Sequence, residues 1–81
     1  METLTTTLTA SYALVVTDGE DYVLQNTGGN DIEIIFDDTA PLDTAKGHIL
    51  KPLDGASSLS WGYGDIYAKY RNTSGQVTVT K

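Results

Sequence analysis

The sequence predicts an all-β domain, a small antiparallel β-sandwich or barrel of seven to eight short strands. Short runs alternate apolar and polar residues with the period of two that strands show. Clusters of glycine, asparagine and aspartate separate these runs at nearly regular spacing, as turns would. No window shows the periodicity of an amphipathic helix. Together these observations favour antiparallel sheets joined by short turns.

The first two strands are predicted at 3–9 and 13–17. In TLTTTLT, leucines alternate with threonines, and threonine is a β-branched residue that suits a half-buried pleat. Low-complexity disorder is the alternative for this threonine-rich start (1–10). In the second strand, Leu14 and Val16 share one face and Val15 lies on the other.

The central prediction is a β-hairpin over residues 22–37. Two alternating runs, YVL and IEIIF, flank the segment GGND, whose residues tolerate positive φ in a tight connection. Ile35 is an apolar exception on the wet face of the second run, where it would cover a neighbouring strand or chain.

The second half is predicted to begin with a loop over 37–47, DDTAPLDTAKG, which has no period. A loop of this length in so small a domain is often functional. Further strands are predicted at 48–50, 57–61, 66–71 and 76–81, separated by glycine-containing turns. The inward positions of the runs form the predicted core: Leu14, Val16, Leu24, Ile32, Ile34, Phe36, Leu59, Trp61, Ile66, Tyr70, Val77 and Val79.

Eighty-one residues indicate a single domain over 1–81, and a core of this size confers only marginal stability. The chain has no cysteine and one histidine, His48, so disulfides and zinc clusters are not expected. Oligomerisation is then the common way left to bury more apolar surface.

The net charge of −6, with five basic residues that form no run, argues against nucleic acid as a ligand. We expect no signal peptide or membrane span.

The residues that could carry chemistry are few. His48 has no nucleophile motif beside it, and the acidic turns do not match a calcium-loop spacing. The segment Gly62-Tyr63-Gly64 precedes a predicted strand, whereas a nucleotide-binding glycine loop precedes a helix. We therefore predict no catalytic residue, metal or cofactor, and expect that the chain is not an enzyme.

Four aromatic residues near the C-terminus are the strongest candidates for contacts with a ligand or partner. Trp61 and Tyr70 fall on the predicted apolar face and are assigned to the core. Tyr63 lies in a turn and Tyr67 on the opposite face, where a ring can stack on a sugar or pack against a subunit.

Several short motifs follow one another in a fixed order: the VLQNTGGNDIEI segment, the TAP loop, HILKPLDG, and GDIYAKYRNTSGQVTVTK. This order resembles that of the small accessory structural proteins of tailed bacteriophages. The likeness covers about three-quarters of the chain, from Tyr22 to Lys81, and departs from the family pattern at Asp54-Gly55, where a proline-glycine turn is usual. The resemblance implies a virion component of the head or tail that works by self-association and attachment.

Two functions follow as expectations. The first is a non-enzymatic decoration or head/tail accessory protein, made in the host bacterial cytoplasm and located in the virion. It would form a homo-oligomer, with a trimer favoured, and would dock on capsid or tail proteins through an acidic, loop-rich end. The alternative is a module that binds carbohydrate or a host surface; a hydrolase ranks third. Neither nucleic acid nor membrane is an expected partner. The candidate interface or ligand contacts are Ile35, Asp38, Pro41, Tyr63 and Tyr67.

Overall fold

The all-β fold class is confirmed by a computed structural model that describes residues 2–81. Residue 1 of the predicted domain lies outside the described residues. Residues 2–81 form eight strands and one helical turn. Their bounds are β1 Thr3–Thr7, β2 Ala13–Val16, β3 Val23–Asn26, β4 Ile32–Phe36, β5 His48–Leu50, β6 Gly55–Ser57, α1 Ser58–Trp61, β7 Ile66–Tyr70 and β8 Gln76–Thr80.

The strands form two antiparallel sheets of four strands each. Sheet A has the order β1-β8-β3-β6, and sheet B has the order β2-β7-β4-β5. The first and last strands pair along their whole length, from Thr3 opposite Thr80 to Thr7 opposite Gln76. The two ends of the described chain therefore lie side by side on sheet A.

The predicted hairpin over 22–37 is wrong. Strand β3 pairs with β8 and β6 in sheet A, whereas β4 pairs with β7 and β5 in sheet B. Alternation shows that a run has one apolar face but does not identify its pairing partner. The segment between β3 and β4 does not form a hairpin turn; it carries the chain from sheet A to sheet B.

A single apolar core joins the two sheets. Leu24, Val77 and Val79 of sheet A and Ile34 and Ile66 of sheet B belong to one buried cluster. This arrangement is consistent with a small β-sandwich. Of the predicted core, seven residues are buried: Val16, Leu24, Ile32, Ile34, Ile66, Val77 and Val79. Three more are partly buried and pack against the cluster: Phe36, Trp61 and Tyr70.

Leu14 is not a core residue, contrary to the prediction, because its strand is irregular. The register with β7 shifts between Leu14, opposite Tyr67, and Val16, opposite Ile66. A bulge of this kind interrupts the strict alternation of faces. Leu14 is consequently 50% exposed, while Val15 is partly buried against the core.

Leu59 is also wrongly predicted as core, because residues 58–61 form a helical turn and not a strand. The Ser57 N–H donates to the Ser60 hydroxyl oxygen at 2.9 Å, and the turn ends at Gly62, whose φ is 82°. Serine side chains that satisfy free backbone groups favour such a helix start. Leu59 is 98% exposed as a result.

Among residues 2–81, Asn26 is the one polar residue whose side chain is fully buried. Its amide donates to the carbonyl oxygens of Asn30 and Leu50 at 2.8 and 2.9 Å, and its side-chain oxygen accepts from the Gly28 N–H at 3.0 Å. Asn26 belongs to sheet A and Leu50 to sheet B. The side chain therefore links the two sheets and the segment that crosses between them.

Candidate interaction surface

The outer face of sheet B carries four apolar side chains, three of which form a row across β2, β7 and β4. Leu14 lies opposite Tyr67 across β2 and β7, and Tyr67 lies opposite Ile35 across β7 and β4. Ile49 is on the same face of β5, opposite Glu33, and is 48% exposed. We call Leu14, Ile35, Ile49 and Tyr67 the apolar patch. Two of its members, Ile35 and Tyr67, were candidate contacts from the sequence, and the structure places them side by side.

The loop over 37–47 is fastened to this sheet by hydrogen bonds. The Tyr12 hydroxyl donates to the Ala45 carbonyl oxygen at 2.7 Å, and Lys69 Nζ donates to the Asp43 carbonyl oxygen at 2.6 Å. The Gly47 N–H donates to Oε2 of Glu33 at 3.2 Å. The second half of the loop is thus held to side chains of the folded domain.

The first half of the loop over 37–47 contains two more of the candidate contacts predicted from the sequence. Asp38 is exposed and Pro41 is partly buried. The next residue, Leu42, is 78% exposed, which is unusual for a large apolar side chain. Leu42 in the loop and Ile49 in the apolar patch are exposed apolar residues that the sequence analysis did not select as contacts. For Leu42 a signal was available, because it is an isolated leucine in a polar loop.

A network of charged and polar groups lies beside the apolar patch. Arg71 Nε is 3.5 Å from Oε1 of Glu33, and Lys69 Nζ lies 5.3 Å from the centre of the Tyr12 ring. Burial, followed by the charge of Glu33 and a hydrogen bond to it, raises the pKa of the Tyr12 hydroxyl. Tyr12 was absent from the predicted core, because the predicted second strand begins one residue later, at Ala13.

We expect the free energy of unfolding to fall at alkaline pH through Tyr12 and Tyr22. Burial raises the pKa of both phenols in the folded state above the usual value of about 10. Their contribution is therefore complete below about pH 10 and is lost as the pH rises through the raised values. Urea unfolding across this range measures the effect, and Tyr12→Phe should make the loss shallower. An unchanged slope in that variant would contradict the assignment to Tyr12.

Tyr63 lies in a different local environment from the other candidates. Its hydroxyl donates to Asp21 Oδ1 at 2.7 Å, and its side chain is 58% exposed. This hydrogen bond raises the pKa of the Tyr63 phenol. Nearby, the Tyr22 hydroxyl donates to the Gly62 carbonyl oxygen at 3.0 Å. Tyr63 thus belongs with the turn before β3 and not with the loop over 37–47.

Trp61 contributes to a shallow aromatic depression. Its ring lies 5.9 Å from that of Phe36 and 6.3 Å from that of His48, measured between ring centres. Together with Ser60 these side chains line a space of about 410 Å³. An aromatic wall with a neighbouring hydroxyl and imidazole can receive a small polar ring.

Within residues 2–81, no group of three or more histidine, cysteine or acidic side chains is placed to hold a metal ion. The same residues contain no helix with the length and apolar character needed to cross a membrane. Comparisons of this chain with protein-family models, curated proteins and solved structures found no match. The resemblance to phage accessory proteins accordingly stays a prediction.

Proposed function

We propose that this protein is a non-enzymatic structural component of a bacteriophage virion, a decoration or head/tail accessory protein. It would act by self-association and by attachment to capsid or tail proteins. The motif resemblance suggests the virion, and the apolar patch is the observation in the structure that best supports attachment. Large apolar side chains that lie together on an outer sheet face are typical of surfaces that bind another protein.

The chemistry around the patch suits a protein partner. Leu14, Tyr67 and Ile35 are uncharged, whereas Glu33 lies between Ile35 and Ile49 on this face and is paired with Arg71. Asp38 and Asp43 stand in the adjoining loop. An apolar centre with a polar and charged rim is the usual composition of a protein interface. The acidic rim would favour a partner surface that carries basic residues, because the net charge of the chain is −6.

We expect the chain to be found by mass spectrometry in purified virions and to rebind particles that lack it. Leu14→Glu places a charge in the apolar patch and should weaken rebinding by roughly tenfold or more. The matched control is Val23→Glu, because Val23 is 58% exposed on the outer face of sheet A, compared with 50% for Leu14. That control should rebind like the native chain. Absence from virions would contradict the proposed function, and equal weakening by both variants would contradict the role of the patch.

Carbohydrate binding is the second candidate, supported by the depression at Phe36, His48 and Trp61. In that case a sugar should change the fluorescence of Trp61, the single tryptophan of the chain, without any particle present. Leu14→Glu should leave such a change intact, because Leu14 does not line the depression. The two candidate functions are thus distinguished by the same variant.

A further inference from the structure

The four edge strands of the two sheets differ in how they are protected from pairing. An open edge with free N–H and C=O groups is a template for another strand unless it is short, bulged, charged or interrupted by proline. Strands β5 and β6 have three residues each, and β5 is followed at once by Lys51 and Pro52. Strand β2 is bulged between Leu14 and Val16. Each of these three edges therefore carries at least one protective feature.

Strand β1 has none of these features. It comprises five residues, TLTTT, without charge or proline, and its register with β8 is regular throughout. Among the described residues, β8 is its one neighbour in sheet A. The opposite side of β1 is therefore an unprotected edge of full strand length.

The alternation of hydrogen bonds shows which backbone groups face this edge. Glu2 and Lys81 exchange two hydrogen bonds of 2.8 Å, and the Leu8 N–H donates to the Gly75 carbonyl oxygen at 2.9 Å. Antiparallel pairs alternate between bonded and non-bonded residues. Even-numbered residues of β1 thus bond to β8, and the N–H and C=O groups of Thr3, Thr5 and Thr7 point away from it.

The side chains of β1 are also incompletely covered. Leu4 lies opposite Val79, which is 3% exposed, yet Leu4 itself is 51% exposed. On the outer face, the Thr5 and Thr78 hydroxyls are 2.9 Å apart, and those of Thr3 and Thr80 are 3.0 Å apart. An added strand would cover Leu4 on one face and extend the rows of threonine hydroxyls on the other.

We propose that β1 pairs with β1 of a second copy of this chain, antiparallel and about a two-fold axis at Thr5. In this register Thr5 lies opposite Thr5 of the second copy, and Thr3 lies opposite Thr7 of the second copy. It is the register in which all five residues overlap and in which all the outward N–H and C=O groups find partners. The two copies of sheet A then form one eight-stranded sheet.

Charge and symmetry both favour a second copy as the occupant of this edge. Pairing within β1 brings no like charges together, although each chain carries a net charge of −6. A two-fold contact also uses the same surface on both subunits and closes without further growth. The inference does not depend on the proposed function, since the edge would pair equally in a protein outside a virion.

Cysteine substitution tests the register directly, because the native chain contains no cysteine. Residues opposite each other in a bonded antiparallel pair have Cα atoms about 5.5 Å apart, but their Cβ atoms are too far apart for an unstrained disulfide. Thr5→Cys should therefore be joined into a covalent dimer by a short cross-linker that reacts with two thiols. Thr7→Cys is the matched control, because its two copies would lie four residues apart, about 14 Å along the strands. It should remain largely unlinked.

Solution mass gives a second, independent measurement. The native chain should have twice the chain mass in light scattering at high micromolar concentration. Thr5→Pro should raise the dissociation constant roughly tenfold or more, since it removes an outward N–H at the centre of the contact on each strand. Proline is tolerated at an edge position whose N–H faces solvent, so the monomer should keep its fold, as Trp61 fluorescence can verify.

Three results would overturn the proposal. The first is a native monomer at all concentrations, and the second is a trimer, the state that the phage resemblance implies, with no dimer on dilution. The third is equal cross-linking of the Thr5→Cys and Thr7→Cys variants. If Thr5→Pro fails to fold, the two cysteine variants still decide the register.

Discussion

Ile34→Ala is expected to lower the free energy of unfolding by about 2 to 5 kcal/mol. Ile34 is fully buried at the centre of sheet B, between Ala68 of β7 and His48 of β5. Its neighbours are held in two sheets and cannot close around the space that the shorter side chain leaves. Because small domains have a total stability of about 5 to 15 kcal/mol, the loss would leave a substantial unfolded fraction. Urea unfolding followed by Trp61 fluorescence measures it.

The matched control is Leu59→Ala, which removes a similar aliphatic side chain from a position that is 98% exposed. Its effect should stay within about 0.5 kcal/mol. A loss at Leu59 as large as that at Ile34 would show that the helical turn over 58–61 is packed against something in solution. A small loss at Ile34 would contradict the shared core of the two sheets.

Asn26→Asp is expected to cost about 3 to 5 kcal/mol at neutral pH. The aspartate would lose both amide donors and would present a carboxylate to the carbonyl oxygens of Asn30 and Leu50, which lie 2.8 and 2.9 Å from the present nitrogen. Burial next to acceptors should raise the pKa of this carboxyl in the folded state. The free energy of unfolding of the variant should then fall as the pH rises above about 4, and should partly recover in acid.

Asn30→Asp provides the control for this substitution. Asn30 is exposed, and its side-chain amide donates to Ser74 Oγ at 2.9 Å. The same chemical change at that position should cost less than about 1 kcal/mol. Urea midpoints of both variants in acid and at neutral pH complete the comparison. A pH-independent loss for Asn26→Asp would contradict a buried ionised carboxylate.

Strand positions could be predicted from the sequence because each buried run has a period of two. Strands β4, β7 and β8 show this well, since Ile32, Ile34, Ile66, Val77 and Val79 all point inward as expected. Pairing partners could not be predicted, because an apolar face fits either sheet. The pairing of β1 with β8, across almost the whole sequence, has no local signal.

Other errors came from interactions that alternation does not report. Leu14 follows the pattern, but the bulge in β2 turns it outward. Leu59 also follows it, but Ser57 and Ser60 stabilise a helical turn. Asn26 falls between the predicted run YVL and the segment GGND, so alternation assigned it no place in the core, although its side chain is fully buried.

For the candidate surface, alternation was sufficient to place Ile35 and Tyr67 on an outer face, but not to show that they are neighbours. Their proximity follows from the register of β4 and β7. The attachment of the loop to Tyr12 and Lys69 requires contacts between residues about 30 positions apart, which composition does not encode. Tyr63 was grouped with the candidate contacts Ile35 and Tyr67 because it is an aromatic residue. Its hydrogen bond to Asp21 instead places it at the turn before β3.

The place of β8 in sheet A has a consequence for how the chain reaches its fold during synthesis. Strand β8 is made after the other seven strands and lies between β1 and β3. Until Gln76–Thr80 has left the ribosome, β1 therefore lacks its neighbour in sheet A, and β3 can pair only with β6. Pairing over such sequence distances is slow because a long chain segment must be closed first. Until that moment the uncharged edge of β1 is open on both sides. During that interval, the proposed pairing of β1 with β1 of a second copy would compete with the formation of sheet A.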